Sequence, residues 1–201
     1  MQPMSVDTGR IPEWIPQGAR VLDLGCGEGH LLAELQTTRA IQGLGLELDP
    51  EKIATCLRRG LNVVQQDLNQ GLSNFKANQF DTIIMTQTLQ AIRRPDTLLD
   101  DMLRVGREAI VTFPNFAHVK NRIQLGIFGH MPVNPQLPNP WYDTPNIHLS
   151  TFDDFEALCD QLKIQILNRD TSNLSGQRSW LGTVWPNLFG EVAVYRLTKE
   201  H

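Results

Sequence analysis

The sequence predicts an α/β domain whose sheet is mostly parallel and ends in an antiparallel hairpin. Three observations carry that expectation. Strand-like apolar runs alternate with helical stretches from residue 19 to about 113, the pattern of successive βαβ units. A glycine-rich turn, Gly25-Cys-Gly-Glu-Gly29, follows the first of those runs directly. The last two strand-like runs have no regular helix between them, so they must pair antiparallel or leave the sheet. A chain of 201 residues lies within the usual span of one core-forming unit, and we expect a single domain over 1–201 with a long loop insertion at about 114–150.

The expected strands of the alternating region are 20–24, 42–48, 62–66, 80–86 and 109–113. Helical spacing falls over 31–36, 51–59 and 95–105: Ile53, Cys56 and Leu57 share one face, as do Leu98, Leu99, Met102 and Leu103. Asp49-Pro50-Glu51 reads as a helix start, a capping carboxylate followed by proline at the first helical position. Beyond Phe113 the regularity lapses. Residues 114–150 are rich in Pro, Asn and aromatics, without clear periodicity after Phe128, and loops of that size are functional or poorly ordered. Thr151 then reads as the cap of a helix over 153–162 with Phe155, Leu158, Cys159 and Leu162 on one side. Closing strands are expected near 163–169 and 191–197, separated by a Gly/Ser/Trp-containing segment.

Composition narrows the function. A formal charge of −4 with both signs interspersed offers no broad basic surface for a phosphate backbone, so nucleic acid is not an expected partner. A loose set of cations, Arg93, Arg94, Arg104, Arg107, Lys120 and Arg122, reads either as a solvated face or as a site for an acidic ligand or partner. No run reaches the roughly 18 apolar residues of a membrane span, and Asp7 and Glu13 interrupt any signal-like stretch, so a cytoplasmic protein without membrane contact is expected. Three well-separated cysteines suggest neither a disulfide framework nor a zinc clip, and the five histidines include no HExxH, so no metal site is assigned.

The strongest chemical signal is Val21-Leu-Asp-Leu-Gly-Cys-Gly-Glu-Gly29, where a buried strand runs into alternating glycines and then a helix beginning near His30. Such glycines allow positive φ and close approach of a ligand to the backbone, and the helix N-terminus adds free N–H groups. Eighteen residues past Gly29, at the end of the second strand, Glu47 stands where an acid can accept both hydroxyls of a ribose; capping a helix is the other use of an acid there, and Asp49 takes it. After the third strand, Asp67 is placed either to accept the amino group of an adenine, with Leu68 packed on the ring, or simply to form a turn.

A glycine loop, a ribose acid and an adenine acid in this order and spacing resemble the class I S-adenosylmethionine-dependent methyltransferases. The resemblance implies a Rossmann-like sheet of seven strands, the last two an antiparallel hairpin, and S-adenosylmethionine or S-adenosylhomocysteine as cofactor. It puts Asp23 near the methionine end, with Gly25 and Gly27 in the turn beneath. The full set of expected cofactor contacts is Asp23, Gly25, Cys26, Gly27, Glu47, Leu48, Asp67, Leu68 and Gln87. Further segments, Phe80-Asp-Thr-Ile-Ile-Met-Thr-Gln-Thr-Leu-Gln-Ala-Ile-Arg-Arg-Pro95, Met102-Leu-Arg-Val-Gly-Arg107, Phe113-Pro-Asn-Phe116 and Trp141-Tyr-Asp-Thr-Pro-Asn-Ile-His148, resemble the methionine biosynthesis protein MetW family from about Pro12 to Leu197. That resemblance implies a partner subunit of a homoserine O-acyltransferase.

Two functions share the one pocket. The chain is either an S-adenosylmethionine-binding regulatory subunit of that acyltransferase, the reading we prefer, or an independent methyltransferase acting on a small acceptor. Methyl transfer is mostly positioning, with a base needed only where the nucleophile must lose a proton. Gln87, Gln90, Tyr142, Asp143, Asn146 and His148 are available, but they form no recognisable catalytic set, and His148 reads as readily as a structural histidine. No catalytic residue is assigned. Phe116, Ile123, Leu125, Ile127, Phe128, Trp141 and Tyr142 make the long loop unusually apolar, which suits either a docking surface or a lid on the domain's own core. The segment from Trp180 to Trp185 is a second such surface or a cover for the sheet edge.

Overall fold

The computed structural model describes residues 10–135, 137–172 and 180–199. In chain order these form α1 (Ile11–Trp14), β1 (Arg20–Leu24), α2 (His30–Arg39), β2 (Gln42–Glu47), α3 (Pro50–Arg58), β3 (Val63–Gln65), β4 (Phe80–Thr86), α4 (Pro95–Val105), β5 (Gly106–Pro114), α5 (Val119–Gly126), α6 (Phe152–Leu162), β6 (Gln165–Ser172), α7 (Trp180–Val184), α8 (Pro186–Phe189) and β7 (Val192–Thr198). Single 3₁₀ turns at Leu68–Gln70 and Leu89–Ala91 follow β3 and β4.

The strands make one sheet in the order β3-β2-β1-β4-β5-β7-β6. β1 to β5 are parallel, and β7 lies antiparallel between β5 and β6, with Tyr195 opposite Val111 on one side and Arg169 on the other. Alternation along each strand feeds two cores. Leu22 and Leu24 of β1, Ile83 and Met85 of β4, and Val111 and Phe113 of β5 join the stripe Leu98, Leu99, Met102 and Leu103 of α4, together with Phe155 and Cys159 of α6. Val21, Ile84 and Ile110, pointing the other way, meet Ile11 of α1, Leu31, Leu32 and Leu35 of α2, and Cys56 of α3. The chain winds outward from β1 to β3, then crosses back to β4 on the other side of β1. The carboxyl ends of β1 and β4 therefore flank the crevice in which such sheets bind ligands.

Local signals start the helices where the sequence placed them. The Asp49 carboxylate accepts from Glu51 N at 2.9 Å with Pro50 next in line, and Thr151 Oγ1 accepts from Asp154 N at 3.1 Å. Other boundaries move. β5 begins at Gly106, directly after α4, and β3 shrinks to three residues at the sheet edge. Residues 114–150 are not all loop, because they contain α5, whose one buried residue is the polar Asn121, so no apolar stripe marks it. The segment ahead of the last strand folds into α7 and α8, and α1 near the start was not foreseen at all. Among the described residues no helix is long and apolar enough to cross a membrane.

A single buried amide holds the end of β5 in place. Asn115 Nδ2 donates to the carbonyls of Gly190 (2.8 Å) and Asn187 (3.0 Å), its Oδ1 accepts from Ala117 N (3.0 Å), and its main chain accepts from Asn121 Nδ2 (3.3 Å). Removing one partner of a buried hydrogen bond leaves the other unmet at about 1–3 kcal/mol. Asn115→Ala is therefore expected to lower the unfolding free energy by about 2–4 kcal/mol in urea titrations; a loss under ~0.5 kcal/mol would mean that water replaces the amide.

Candidate functional site

Beyond Leu24 the chain must turn sharply while staying against β2. Gly25 N and Cys26 N both donate to Leu46 O, at 2.8 and 3.0 Å, which pins the loop to the neighbouring strand. Gly25 has φ +73°, and a Cβ on it would lie 2.7 Å from Thr88 Oγ1, so glycine is required twice over. At Gly27 (φ +58°) a Cβ would meet nothing within 4 Å, so backbone is presented to open space. Gly27 N donates to Glu47 Oε2 at 2.8 Å, while Glu47 Oε1 accepts from Leu48 N (2.8 Å) and Asp49 N (3.0 Å). Glu47 is buried and holds three amides; with roughly four acceptor positions on a carboxylate, it retains capacity for a hydroxyl donor.

Asp23 is only 1% exposed, and its Oδ1 has no hydrogen-bond partner. Burial, and secondly the charge of Glu47, push its carboxyl up to about 7. Cys26 directs its thiol back toward β2, into the space left by Gly45, where an added Cβ would lie 2.5 Å from Cys26 Sγ. Burial raises that thiol above its ordinary range, so it is a neutral packing group and only its backbone remains for a ligand.

On the far side of β2, Leu48, Val64, Gln65, Gln66 and Asp67 line a cleft of about 510 Å³. Asp67 Oδ1 accepts from both Asn69 N and Asn69 Nδ2, at 2.9 Å each, and so caps the following 3₁₀ turn. The turn-forming use and a place in the cleft thus coexist. Leu68 departs from expectation: it is 8% exposed and belongs to the core, whereas Leu48 is 56% exposed and lines the cleft. The leucine that lines the cleft is therefore Leu48, while Leu68 packs into the core from the 3₁₀ turn.

The third wall follows β4. Gln87 has φ +52°, unusual for a residue with a side chain, and is held there by its N–H bonded to Thr112 O (3.0 Å) and Thr112 Oγ1 (3.1 Å). Gln90 Nε2 donates to Gln87 O at 2.8 Å. Among the described residues, four buried side-chain atoms have no partner: Asp23 Oδ1, Gln87 Nε2, Gln90 Oε1 and, away on β6, Thr171 Oγ1. Three of the four cluster at the carboxyl ends of β1 and β4. Two acceptors and one donor left unmet in that way fit a ligand that brings an ammonium and a carboxylate, such as the amino-acid end of S-adenosylmethionine.

Of the groups considered for acid–base work, Gln87 and Gln90 belong to that cluster, and His148 bonds it through main chain. His148 donates its main-chain N–H to Gln90 O, and its ring nitrogen lies 3.4 Å from Arg93 O, a structural placement. Trp141 and Tyr142 are 72% and 75% exposed and contact each other edge to face. Of the loose cations, Arg94 pairs with Asp96 (2.7 Å), Arg104 with Asp101 (2.9 Å), and Lys120 with Glu191 (3.5 Å), which favours the solvated-face reading. The part of Thr112 in holding Gln87 carries no sequence signal, since a threonine within a strand is ordinary.

The family model described as methionine biosynthesis protein MetW matches residues 5–197. The chain is similar to a bifunctional methionine biosynthesis protein MetXA/MetW from Rhodopirellula baltica, 40% identical over 172 residues, which make up 81% of this chain and 28% of that protein. It spans only 28% and 30% of the length of the two curated relatives it matches. Among solved structures, a SAM-dependent methyltransferase from Archaeoglobus fulgidus has a TM-score of 0.67 at 17% identity, covering 98% of this chain and 95% of that one. A TehB-like SAM-dependent methyltransferase from Corynebacterium glutamicum has a TM-score of 0.62 at 19% identity, covering 94% and 85%. At those identities the likeness is one of fold.

The buried Asp23 carboxyl has a consequence for stability. Its raised value means that the stability it allows is full below the ordinary carboxylate value of about 4 and is lost as pH rises through about 7. Asp23→Asn removes that titration. The melting temperature of ligand-free Asp23→Asn relative to the parent is expected to rise by at least about 4 °C between pH 5 and pH 8; a gap that does not change with pH would place Asp23 in an ordinary solvated setting.

Proposed function

The chain belongs to the MetW family of methionine biosynthesis proteins, and from that premise we propose that it is an S-adenosylmethionine-binding regulatory subunit that supports a homoserine O-acyltransferase in the cytoplasm. The observation that carries this reading is the pairing of unmet buried polar groups at the carboxyl ends of β1 and β4 with an exposed apolar stretch hydrogen-bonded to the turn after β4. In the pocket, Glu47 would take the ribose hydroxyls, Asp67 the adenine amino group and Leu48 the ring face. Asp23 and Gln87 would take the amino-acid end, above the backbone of Gly25, Cys26 and Gly27. Bound there, the cofactor would supply an electrophilic methyl group. This chain's own residues would bind and orient: His148 is tied to backbone, the Cys26 and Cys56 thiols are raised by burial, and the buried Asp23 carboxyl is given to the ammonium of the ligand.

The residues beyond α5 support the partner role. Trp141, Tyr142, Ile147 and Leu149 are exposed on one stretch of chain, together with Ile127, Phe128 and Met131, which is more apolar side chain than isolated surface residues explain. The Rhodopirellula baltica relative joins a MetXA and a MetW part in one chain, which supports an association of this chain with a separate acyltransferase of that kind. An independent methyltransferase is the second reading, favoured by fold neighbours that are themselves named SAM-dependent methyltransferases.

Homoserine acylation by a purified acyltransferase, followed with and without this chain while S-adenosylmethionine is assayed for methyl loss, separates the two. A several-fold rise in acylation with the cofactor intact is expected; steady demethylation without any rise would establish the second reading. In calorimetry, Glu47→Ala and Asp67→Ala are each expected to weaken S-adenosylmethionine at least tenfold, and unchanged affinity would displace the nucleoside from this cleft. Trp141→Ala should reduce co-purification with the acyltransferase while leaving cofactor affinity within twofold. The reverse pattern would make the segment a lid over the cofactor.

A further inference from the structure

The turn after β4 serves two surfaces with one residue. Gln90 is 7% exposed; its side chain donates to Gln87 O at 2.8 Å and leaves Oε1 buried without a partner. Its main-chain carbonyl accepts two hydrogen bonds from far along the chain, from Ile147 N at 2.9 Å and His148 N at 3.0 Å. The His148 ring adds a contact with Arg93 O at 3.4 Å. The segment held in this way carries the exposed Trp141, Tyr142, Ile147 and Leu149. Its base is anchored separately, through Phe116 N to Ser150 O (3.0 Å) and Asn134 Nδ2 to Asn121 Oδ1 (2.7 Å).

The turn itself is held under strain. Gln87 at φ +52° sits in the left-handed region that disfavours a residue with a side chain, and two buried amide atoms on the same four-residue stretch lack partners. Such a segment has other arrangements within reach, and a ligand that supplies the missing partners favours one of them by its differential contacts alone. We infer that the 87–90 turn couples the pocket to the docking segment: the amino-acid end of the ligand, by meeting Gln87 Nε2 and Gln90 Oε1, fixes the Gln90 carbonyl on which residues 141–149 hang and so sets their apolar face for the protein partner. This inference rests on the pocket and partner reading above. Gln87 and Gln90 act as positioning residues. Ligand and partner then tighten each other's binding by the same factor, as linkage requires.

The direct readout is amide hydrogen exchange at Ile147 and His148 in the isolated chain, alongside calorimetry. S-adenosylmethionine at saturation is expected to slow exchange at both amides at least tenfold. Methylthioadenosine, which keeps the nucleoside and lacks the amino-acid end, is expected to bind and leave both rates within twofold. In Gln90→Ala the protection should fall away while some S-adenosylmethionine affinity remains. With the acyltransferase present, its affinity should rise at least fivefold on adding S-adenosylmethionine, and S-adenosylmethionine affinity should rise by an equal factor on adding the enzyme. If S-adenosylmethionine binds without slowing the two amides, or methylthioadenosine slows them equally, the coupling is overturned and the pocket reading stands. If calorimetry shows no binding of either ligand, the pocket reading fails and takes this inference with it.

Discussion

The Glu47 carboxylate is the point on which the site is organised. Placed at the last residue of β2 and buried, it accepts from Gly27 N of the glycine loop and from Leu48 N and Asp49 N of the turn that begins α3. Hydrogen bonds to a charged acceptor contribute about 1.5–3 kcal/mol each, so this one side chain fixes the loop after β1, the end of β2 and the start of α3 relative to each other. The Leu46 carbonyl, one residue earlier, accepts the amides of Gly25 and Cys26 and completes the attachment. The glycine loop at this end of the crevice is thus held through its backbone.

A second carboxylate under the same roof supports the proposed ligand. Asp23 is buried beside Glu47 with an oxygen that nothing in the described chain meets, and burial, then the Glu47 charge, act against its ionisation. A protein that stored such a group for structure alone would lose by it. The same reasoning covers the side-chain amides of Gln87 and Gln90: Thr112 holds the Gln87 main-chain N–H and Gln90 Nε2 donates to the Gln87 carbonyl, while Gln87 Nε2 and Gln90 Oε1 stay buried and unmet.

The long connection between β5 and α6 is a folded attachment with its own short helix and a buried amide network through Asn115 and Asn121. Its outer face stays apolar and exposed, while its inner hydrogen bonds reach the turn after β4. In the proposed function this apolar face is tied to the ligand pocket through the Gln90 carbonyl.

The sequence by itself determined the parts governed by local and periodic constraints. Alternating apolar runs required a parallel sheet with two covered faces, Asp49-Pro50 and Thr151 started their helices where side-chain caps demand, and the positive-φ glycines after β1 marked the crevice. The places of Asp23, Glu47 and Asp67 at or just beyond strand ends were legible from the strand boundaries, and Asp67 also takes the turn-forming use the sequence allowed. Tertiary structure alone decided the rest. Whether Leu48 or Leu68 faces the cleft depends on how a three-residue turn rotates against the core, and neighbouring leucines look alike in a sequence. α5 escaped notice because its buried residue is an asparagine held by hydrogen bonds rather than by apolar contact. The link from Gln90 to Ile147 and His148 spans more than fifty residues and runs from main chain to main chain, so no side-chain pattern encodes it. It exists because the fold brings those two backbones together.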